Sequence, residues 1–305
     1  MTSPFKNILL IGAGGSIGSV VLKALVAEPS LSVTVLKRES SHAALPPHVA
    51  SVIVPDSYPT DALIDAFRGH DVIVSCMASL SVSDQFRFID AAIVAGVRRY
   101  VPSEYGLNNM CPEAQALNAV FRDKGAVQTY LRERAAEGKI EWMSISCGMW
   151  ISWSMQHDFL GMRVRKNEVT FWDKGEGRFS VTTEENTALG LVNALIKIPA
   201  DTKNTNVLLS EFITTPKELL AEIERQTGEK FTVDLIDSWT RIPELQARYA
   251  SGEVAAVYGL LEAGFVTGRY GADLEKEGKL FNKRLGLKGH TLQEVVADAL
   301  QNLKQ

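Results

Sequence analysis

Residues 5–18 read FKNILLIGAGGSIG, and this stretch decides the fold. Its first half, residues 5–11, is a short apolar run that stops at a glycine, which is typical of a strand buried on both faces. Behind the glycines, apolar residues recur at helical spacing over residues 16–27, and Pro29 ends that pattern. A buried strand that turns through glycines into a helix predicts the first strand–helix unit of a parallel sheet.

The glycine spacing predicts a phosphate-binding turn. Gly12 would allow the tight turn, Gly15 would let the backbone approach a pyrophosphate, and Gly18 would let the helix pack closely on the sheet. Free N–H groups at the helix start attract phosphate, helped by the helix dipole. A tight turn without a ligand is the alternative, but a strand before and a helix after favour a dinucleotide site. The candidate residues of this loop are Gly12, Gly14, Gly15, Ser16, Ile17 and Gly18.

Strands and helices go on alternating through the first half. Further strands are predicted at residues 31–36, 51–54, 71–75, 97–101 and 140–146, and helices at 62–67, 83–95 and 114–136. The second half is less regular, with short strands at 169–172 and 178–181 around a turn at 175–177, a helix from Thr182 or Thr183 to 198, and a helix at 216–227. We expect an α/β fold with right-handed crossovers, in which residues 1–150, completed by 183–210, form a Rossmann-type doubly wound parallel sheet. Residues 151–182 and 211–305 would form a smaller α+β substrate domain.

Composition limits the class of protein. The chain has 305 residues, of which 46% are hydrophobic and 22% charged, and its net charge is −4. These values give no electrostatic reason to expect nucleic acid or an anionic membrane as a partner. The three cysteines and five histidines have no spacing of a metal site, and no apolar run has the length of a membrane span. We expect a cytoplasmic monomer or homodimer without a metal, acting on a small molecule.

The end of the second predicted strand indicates which cofactor is bound. Residues 36–40 read LKRES, and a basic residue at this point accommodates the 2′-phosphate of NADP, whereas an acidic one binds the ribose of NAD. Arg38 can hold a phosphate with two parallel hydrogen bonds, and Lys37 lies beside it. Glu39 is an acidic residue in the same segment, so NAD remains an alternative cofactor. A solvated basic loop that binds no cofactor is a further alternative. The sequence predicts NADP(H).

Two more strand ends should lie at the same edge of the sheet. Ser75, Cys76 and Met77 follow the fourth predicted strand, where a doubly wound sheet places its ligand. Cys76 is interpreted as a small buried residue rather than a nucleophile. Ser103 and Glu104 follow the fifth strand and are predicted to face the cofactor, with a stiff structural turn as the alternative.

Residues 85–106, QFRFIDAAIVAGVRRYVPSEYG, resemble the signature of the isoflavone-reductase-like and NmrA-like branch of the atypical short-chain dehydrogenases. The glycine loop, Arg38 and residues 172–177 also fit, the last resembling fungal members, and the resemblance extends over residues 5–290. It implies an NADPH-dependent reductase of a small aromatic or polyketide-type secondary metabolite, acting on a ketone, a conjugated double bond or a benzylic ether. A non-catalytic NADP sensor of the NmrA type, with a protein partner, is the alternative.

The same resemblance implies that Lys124 is the general acid or base and lies near the cofactor. The chain has no Tyr-x-x-x-Lys, and residues 121–127 resemble the Lys-x-x-Val segment of isoflavone-reductase-like enzymes. We expect the unliganded site to be open to water, so that ligand binding completes the desolvation that lowers the lysine pKa. A solvated helix lysine is the alternative. Family enzymes often carry Arg where this chain has Gln128, which predicts weaker NADP binding unless Lys37 substitutes.

The turn after the sixth strand matches a Gly-x-Phe turn of the family, which implies that Gly148 and Trp150 cover the nicotinamide. An apolar wall for a flat aromatic substrate is predicted from Met149, Trp150, Trp153, Met155 and Phe159, with packing between domains as the alternative. Tyr105 and His157 are further substrate-binding candidates. Lid candidates chosen by residue type alone are Trp239, Tyr249, Tyr258 and Phe265.

Overall fold

The computed structural model describes residues 5–304. Its strands are β1 Asn7–Ile11, β2 Ser32–Arg38, β3 Ala50–Val54, β4 Val72–Ser75, β5 Arg99–Val101, β6 Glu141–Ser146, β7 Met162–Arg163, β8 Glu168–Trp172, β9 Phe179–Val181, β10 Thr205–Leu208, β11 Phe212–Thr214 and β12 Thr232–Ile236. Its α-helices are α1 Ser16–Val26, α2 Thr60–Phe67, α3 Gln85–Val94, α4 Pro112–Leu117, α5 Ala119–Ala136, α6 Ile151–Gln156, α7 Glu184–Ile196, α8 Pro216–Thr227, α9 Ser238–Ala250, α10 Ala256–Val266, α11 Leu274–Glu277, α12 Asn282–Leu285 and α13 Leu292–Asn302.

A seven-stranded sheet forms the centre of the molecule. The strand order is β10-β6-β5-β4-β1-β2-β3, and neighbouring strands are parallel. The chain reverses its direction of winding between β1 and β4, and ligands of doubly wound sheets bind at such a switch point. The predicted fold class is confirmed. The predicted strand 97–101 begins two residues later, at Arg99, and the predicted strand 5–11 begins at Asn7.

Apolar side chains cover both faces of this sheet. Successive residues of β1 alternate between two hydrophobic clusters, since Ile8 packs with Val21 of α1 and Leu191 of α7, while Leu9 packs with Phe88 of α3 and Leu131 of α5. A strand between two helix layers must be apolar throughout, which explains the unbroken apolar run.

A third hydrophobic cluster holds the second half of the chain together. It joins Val169 of β8 to Leu219 of α8, Leu260 of α10 and Val296 of α13. Because β10 pairs with β6 and α7 packs on α1, we propose to keep the domain division at 1–150 with 183–210 against 151–182 with 211–305.

The strands predicted at 169–172 and 178–181 both exist as β8 and β9. They lie in different sheets, because β8 pairs with β7 and β12, whereas β9 pairs with β11. The connection at Gly177 packs against another element, because a Cβ there would lie 2.0 Å from the carbonyl oxygen of Val266. The helix predicted at 114–136 is broken at Asn118, whose backbone is extended and whose side chain accepts a hydrogen bond from the N–H of Phe121 at 3.0 Å. Asparagine is a strong helix N-cap, so α5 begins anew after it.

Within residues 5–304, no helix is both long enough and apolar enough to cross a membrane. The same residues contain no group of three or more His, Cys, Asp or Glu side chains that could hold a metal ion.

Candidate active site

A cavity of about 710 Å³ opens at the carboxyl ends of β1, β2 and β4. The switch point of the sheet therefore carries a large cleft, as the sequence predicts. The predicted cofactor-binding residues that line it are Gly12, Gly14, Gly15, Lys37, Arg38, Cys76 and Met77.

The glycine loop forms one wall of this cavity. Gly12 has a φ of +81°, and a Cβ there would lie 2.3 Å from the carbonyl oxygen of Cys76. A Cβ on Gly18 would lie 2.0 Å from the carbonyl oxygen of Gly12, so close packing of α1 on the loop requires glycine. A Cβ on Gly15 would meet only the Gly12 oxygen at 3.4 Å, an ordinary contact. Packing therefore does not explain why residue 15 is a glycine. The close approach of a ligand to the backbone would explain it.

The start of α1 can bind an anion. Gly15 is the N-cap residue of α1 and supplies no side-chain hydrogen bond to the first turn. The N–H groups of the first turn have no partner within the helix and carry its positive dipole. Ser16, Ile17 and Gly18 belong to this turn rather than to the residues that line the cavity.

Three cations line the cavity. Arg38 is exposed at the end of β2, and the Nζ of Lys37 donates to the carbonyl oxygen of Ala43 at 3.2 Å. Arg87 of α3 is the third; it donates to Asp84 at 2.8 Å and to the carbonyl oxygen of Ser57 at 3.2 Å. The sequence pattern predicts no role for Arg87, because only the tertiary contact of α3 with the segment after β3, at Ser57 and Tyr58, brings it to the cleft. The glycine wall, the free helix start and the cations together fit NADP(H).

Three predicted cofactor residues support the cavity from behind instead of lining it. The hydroxyl of Ser103 donates to the carbonyl oxygen of Met77 at 2.8 Å, and its N–H donates to Gln85 at 2.8 Å. Ser75 is fully buried in β4. Glu104 also turns away from the cleft, as described below.

A second, smaller cavity of about 150 Å³ lies next to the first. It is mostly apolar, and its lining includes Tyr105, Phe121, Lys124, Gly148, Met149, Trp150, Trp153, Phe159, Leu261 and Phe265. Gly148 and Trp150, which the resemblance places over the nicotinamide, thus share a cavity with the substrate-binding candidates Tyr105, Met149 and Trp153. The two cavities meet where the side chain of Tyr105 contacts that of Cys76.

Some of the predicted substrate contacts lie elsewhere. His157 is exposed, stacks on Trp153 with ring centroids 4.5 Å apart and does not line the small cavity. Met155 is buried in the core of the second half. Of the four lid candidates Phe265 lines the cavity, whereas Trp239, Tyr249 and Tyr258 do not.

The loop after β5 holds the side chain of Lys124 in place. Its Nζ donates to the carbonyl oxygens of Glu104 at 2.6 Å and Tyr105 at 3.1 Å, and the residue is only 8% exposed. Burial lowers the pKa of Lys124, opposed mainly by the negative charge of Glu104. The prediction that the unliganded site leaves this lysine open to water is wrong, since the packing of α5 against the loop after β5 already buries it.

Glu104 lies behind the lysine rather than against the cofactor. Its side chain is fully buried, and its Oε2 accepts a hydrogen bond from Asn109 at 2.8 Å and lies 3.5 Å from Nε2 of Gln128. Burial raises the pKa of Glu104 to about 7, against the opposing effect of Lys124 and these donors. Gln128 is itself fully buried and donates to Ser144 at 3.1 Å. It does not line the large cavity, so the structure gives no support to the predicted effect of Gln128 on NADP binding.

The comparisons with known proteins agree with this architecture. A model of the NmrA-like family matches residues 4–248. Oxidoreductase aprR of Aspergillus flavus is 28% identical over 296 residues, which cover 97% of this chain and 99% of that protein. Among solved structures, isoflavone reductase superposes with a TM-score of 0.75 at 19% identity, covering 96% of this chain and 99% of that one. A complex of leucoanthocyanidin reductase with NADPH from Vitis vinifera superposes with a TM-score of 0.72 at 17% identity, covering 97% of this chain and 99% of that one.

Proposed function

The chain belongs to the NmrA-like family, and from its two joined cavities we propose that it is an NADPH-dependent oxidoreductase that reduces a small aromatic or polyketide-type metabolite. The observation that carries this proposal is the position of Lys124, a buried amine in the wall of an apolar cavity that adjoins the dinucleotide-sized cleft.

The large cavity supplies the cofactor site. The first turn of α1 and Gly15 would hold the pyrophosphate, while Arg38, assisted by Lys37 and Arg87, would hold the 2′-phosphate. Cys76 and Met77 at the end of β4 lead from this cleft towards the small cavity. The relative that was solved with NADPH and the basic end of β2 both support NADP(H) over NAD(H).

The small cavity selects the substrate. A volume of 150 Å³ accommodates about one aromatic ring, since an apolar protein cavity of ~150 Å³ binds benzene. The indole N–H of Trp150 is already donated to Thr187 at 3.0 Å, so the aromatic wall around Lys124 offers mainly apolar contact. A flat ring with a carbonyl, conjugated double bond or benzylic ether carbon next to it fits this chemistry.

Lys124 supplies the proton. Bound NADPH would provide hydride from C4 of its nicotinamide. An ammonium group has three N–H donors, and two of them are engaged by the carbonyls of Glu104 and Tyr105, so one remains for the substrate. Burial lowers the pKa of Lys124 and thereby makes the proton easier to give up than that of a solvated lysine. The proton passes to the substrate directly or through a water molecule.

The test is NADPH oxidation against a panel of aromatic ketones, isoflavones and benzylic ethers, with NADH as a parallel cofactor. Turnover of one class with NADPH, abolished in Lys124→Ala, supports the proposal. Tight NADPH binding without turnover of any compound, together with capture of a protein partner, would instead support an NADP sensor of the NmrA type.

A further inference from the structure

Glu104 is a fully buried carboxyl group that lines neither of the two cavities. Asn109 donates to its Oε2, but its Oε1 has no hydrogen-bond partner among residues 5–304. Burying a carboxyl group with an unpaired oxygen costs free energy unless a charge or a donor compensates. The cation that most stabilises the Glu104 anion is Lys124.

Helix α5 carries a second cation that acts on Glu104, the guanidinium of Arg132. Lys124, Gln128 and Arg132 are spaced four residues apart and lie on one face of the helix. The guanidinium of Arg132 donates to Oε1 of Gln128 at 3.0 Å and lies over the ring of Trp142, 5.1 Å from its centroid. Arg132 thus donates to the same glutamine whose Nε2 lies 3.5 Å from the carboxyl of Glu104.

We propose that Glu104 is a positioning residue for Lys124: its carboxylate keeps the lysine in the ammonium form that can donate a proton, and its main-chain carbonyl orients Nζ. The proposal rests on the role of Lys124 as the proton donor in the proposed function. It assigns both ends of one residue to one task. The carbonyl oxygen of Glu104 lies 2.6 Å from Nζ, and the carboxyl group of the same residue is fully buried with its Oε1 unpaired.

The charged groups around the pair fix the direction of the effect. The groups that act on Lys124 are Glu104 and Cys147, and burial raises the pKa of the Cys147 thiol to about 11, so it stays neutral near pH 7. The cations that act on Glu104 are Lys124 and Arg132. When Glu104 is neutral, the burial of Lys124 loses the negative charge that opposes it, and the pKa of the lysine falls further. The two groups titrate as one coupled pair.

The pKa of Lys124 can be measured without any substrate by competitive labelling with acetic anhydride across a pH series, read by mass spectrometry of the peptide. Glu104→Gln should lower that pKa by about one unit or more. Glu133→Gln, on an exposed residue of the same helix, is the matched control and should leave it unchanged. An unchanged Lys124 pKa in folded Glu104→Gln would overturn the proposal. Since labelling needs no turnover, a protein that reduces nothing would refute the proposed function and leave this result readable.

If Glu104→Gln does not fold, a second measurement on the wild-type protein tests whether the charge of Glu104 affects the titration of Lys124. Carbon-13 NMR can follow the side-chain carboxyl of Glu104 and the Cε of Lys124 through the same pH titration. The proposal requires an inflection of the lysine resonance at the pH where the carboxyl titrates, at about pH 7. A lysine resonance that does not respond at that pH would overturn it.

Discussion

The Sγ of Cys76 lies 3.3 Å from the hydroxyl oxygen of Tyr105, and this contact lies where the two cavities of the site meet. Cys76 belongs to the wall of the large cavity and Tyr105 to that of the small one. A substrate stacked on Tyr105 would thus lie next to whatever occupies the end of the large cavity beside Cys76. The reactivity of the Cys76 thiol can therefore be used to test how the region between the two cavities is packed.

Burial makes Cys76 unreactive in the folded protein. It raises the pKa of the thiol to about 12, only partly offset by the hydrogen bond with Tyr105, and the thiolate is the nucleophilic form. We expect iodoacetamide at about pH 8 to modify the partly exposed Cys111 first and to spare Cys76 and Cys147, as read by peptide mass spectrometry. All three should react in urea. Equal rates for Cys76 and Cys111 in the folded protein would contradict the buried position of Cys76.

Arg38 should distinguish NADPH from NADH. Arg38→Ala removes at least one charge-assisted hydrogen bond to the 2′-phosphate, worth ~1.5–3 kcal/mol, so the Kd for NADPH should rise by at least about 10–100-fold while that for NADH changes little. Fluorescence titration with both cofactors measures this. The matched control is Arg68→Ala, an exposed arginine paired with Asp65 and absent from the cavity wall. An equal loss for both cofactors would show that Arg38 does not bind the 2′-phosphate.

The two glycines at either side of the start of α1 should respond differently to valine. Gly15→Val should fold with a nearly unchanged Tm but lose NADPH binding, because its side chain enters the cavity and meets only an ordinary 3.4 Å contact. Gly18→Val should unfold, because its Cβ would lie 2.0 Å from a backbone oxygen. Circular dichroism and NADPH titration measure the two effects. Normal NADPH affinity in folded Gly15→Val would refute the role of this loop.

Lys124 should affect turnover far more than cofactor affinity. Lys124→Ala should lower kcat by ~10²–10⁴-fold, the usual contribution of a positioned acid or base, with less than about a tenfold change in Kd for NADPH. It should also cost about 1–3 kcal/mol of stability, since two buried carbonyl oxygens lose their donor. Lys124→Arg should not restore activity, because a guanidinium keeps its proton. Arg122→Ala, an exposed position on α5, is the control. Full turnover of Lys124→Ala would exclude the lysine from the chemistry.

Glu104 should make stability depend on pH. Burial raises its pKa from 4.5 to about 7, so the folded protein holds this proton more firmly than the unfolded chain. The resulting stabilisation is complete below about pH 4.5 and is lost as the pH rises through about 7. We expect the free energy of unfolding of wild type, relative to Glu104→Gln, to be lower at about pH 7.5 than at about pH 5 in urea denaturation. A constant difference between the two proteins would show that Glu104 titrates normally.

Local patterns in the sequence determined the order of strands and helices, the glycine turn and the edge of the sheet at which the site forms. An apolar run, a helical period and a glycine that must adopt a positive φ are properties of neighbouring residues, and they predicted β1, α1 and Gly12 without any tertiary information. The same patterns brought Lys37, Arg38 and Cys76 to one cleft, because the carboxyl ends of parallel strands share an edge.

Only the tertiary structure decided which way each side chain faces and how deeply it is buried. Lys124 is held by carbonyl oxygens 20 and 19 residues away, and Arg87 reaches the cleft through a carbonyl 30 residues away. The carboxyl of Glu104 points away from the cofactor cleft because Asn109 and Gln128 lie behind the loop. Strands β8 and β9 lie in different sheets because each pairs with a strand later in the chain. Burial and charge depend on contacts between distant segments, and no local pattern encodes those contacts.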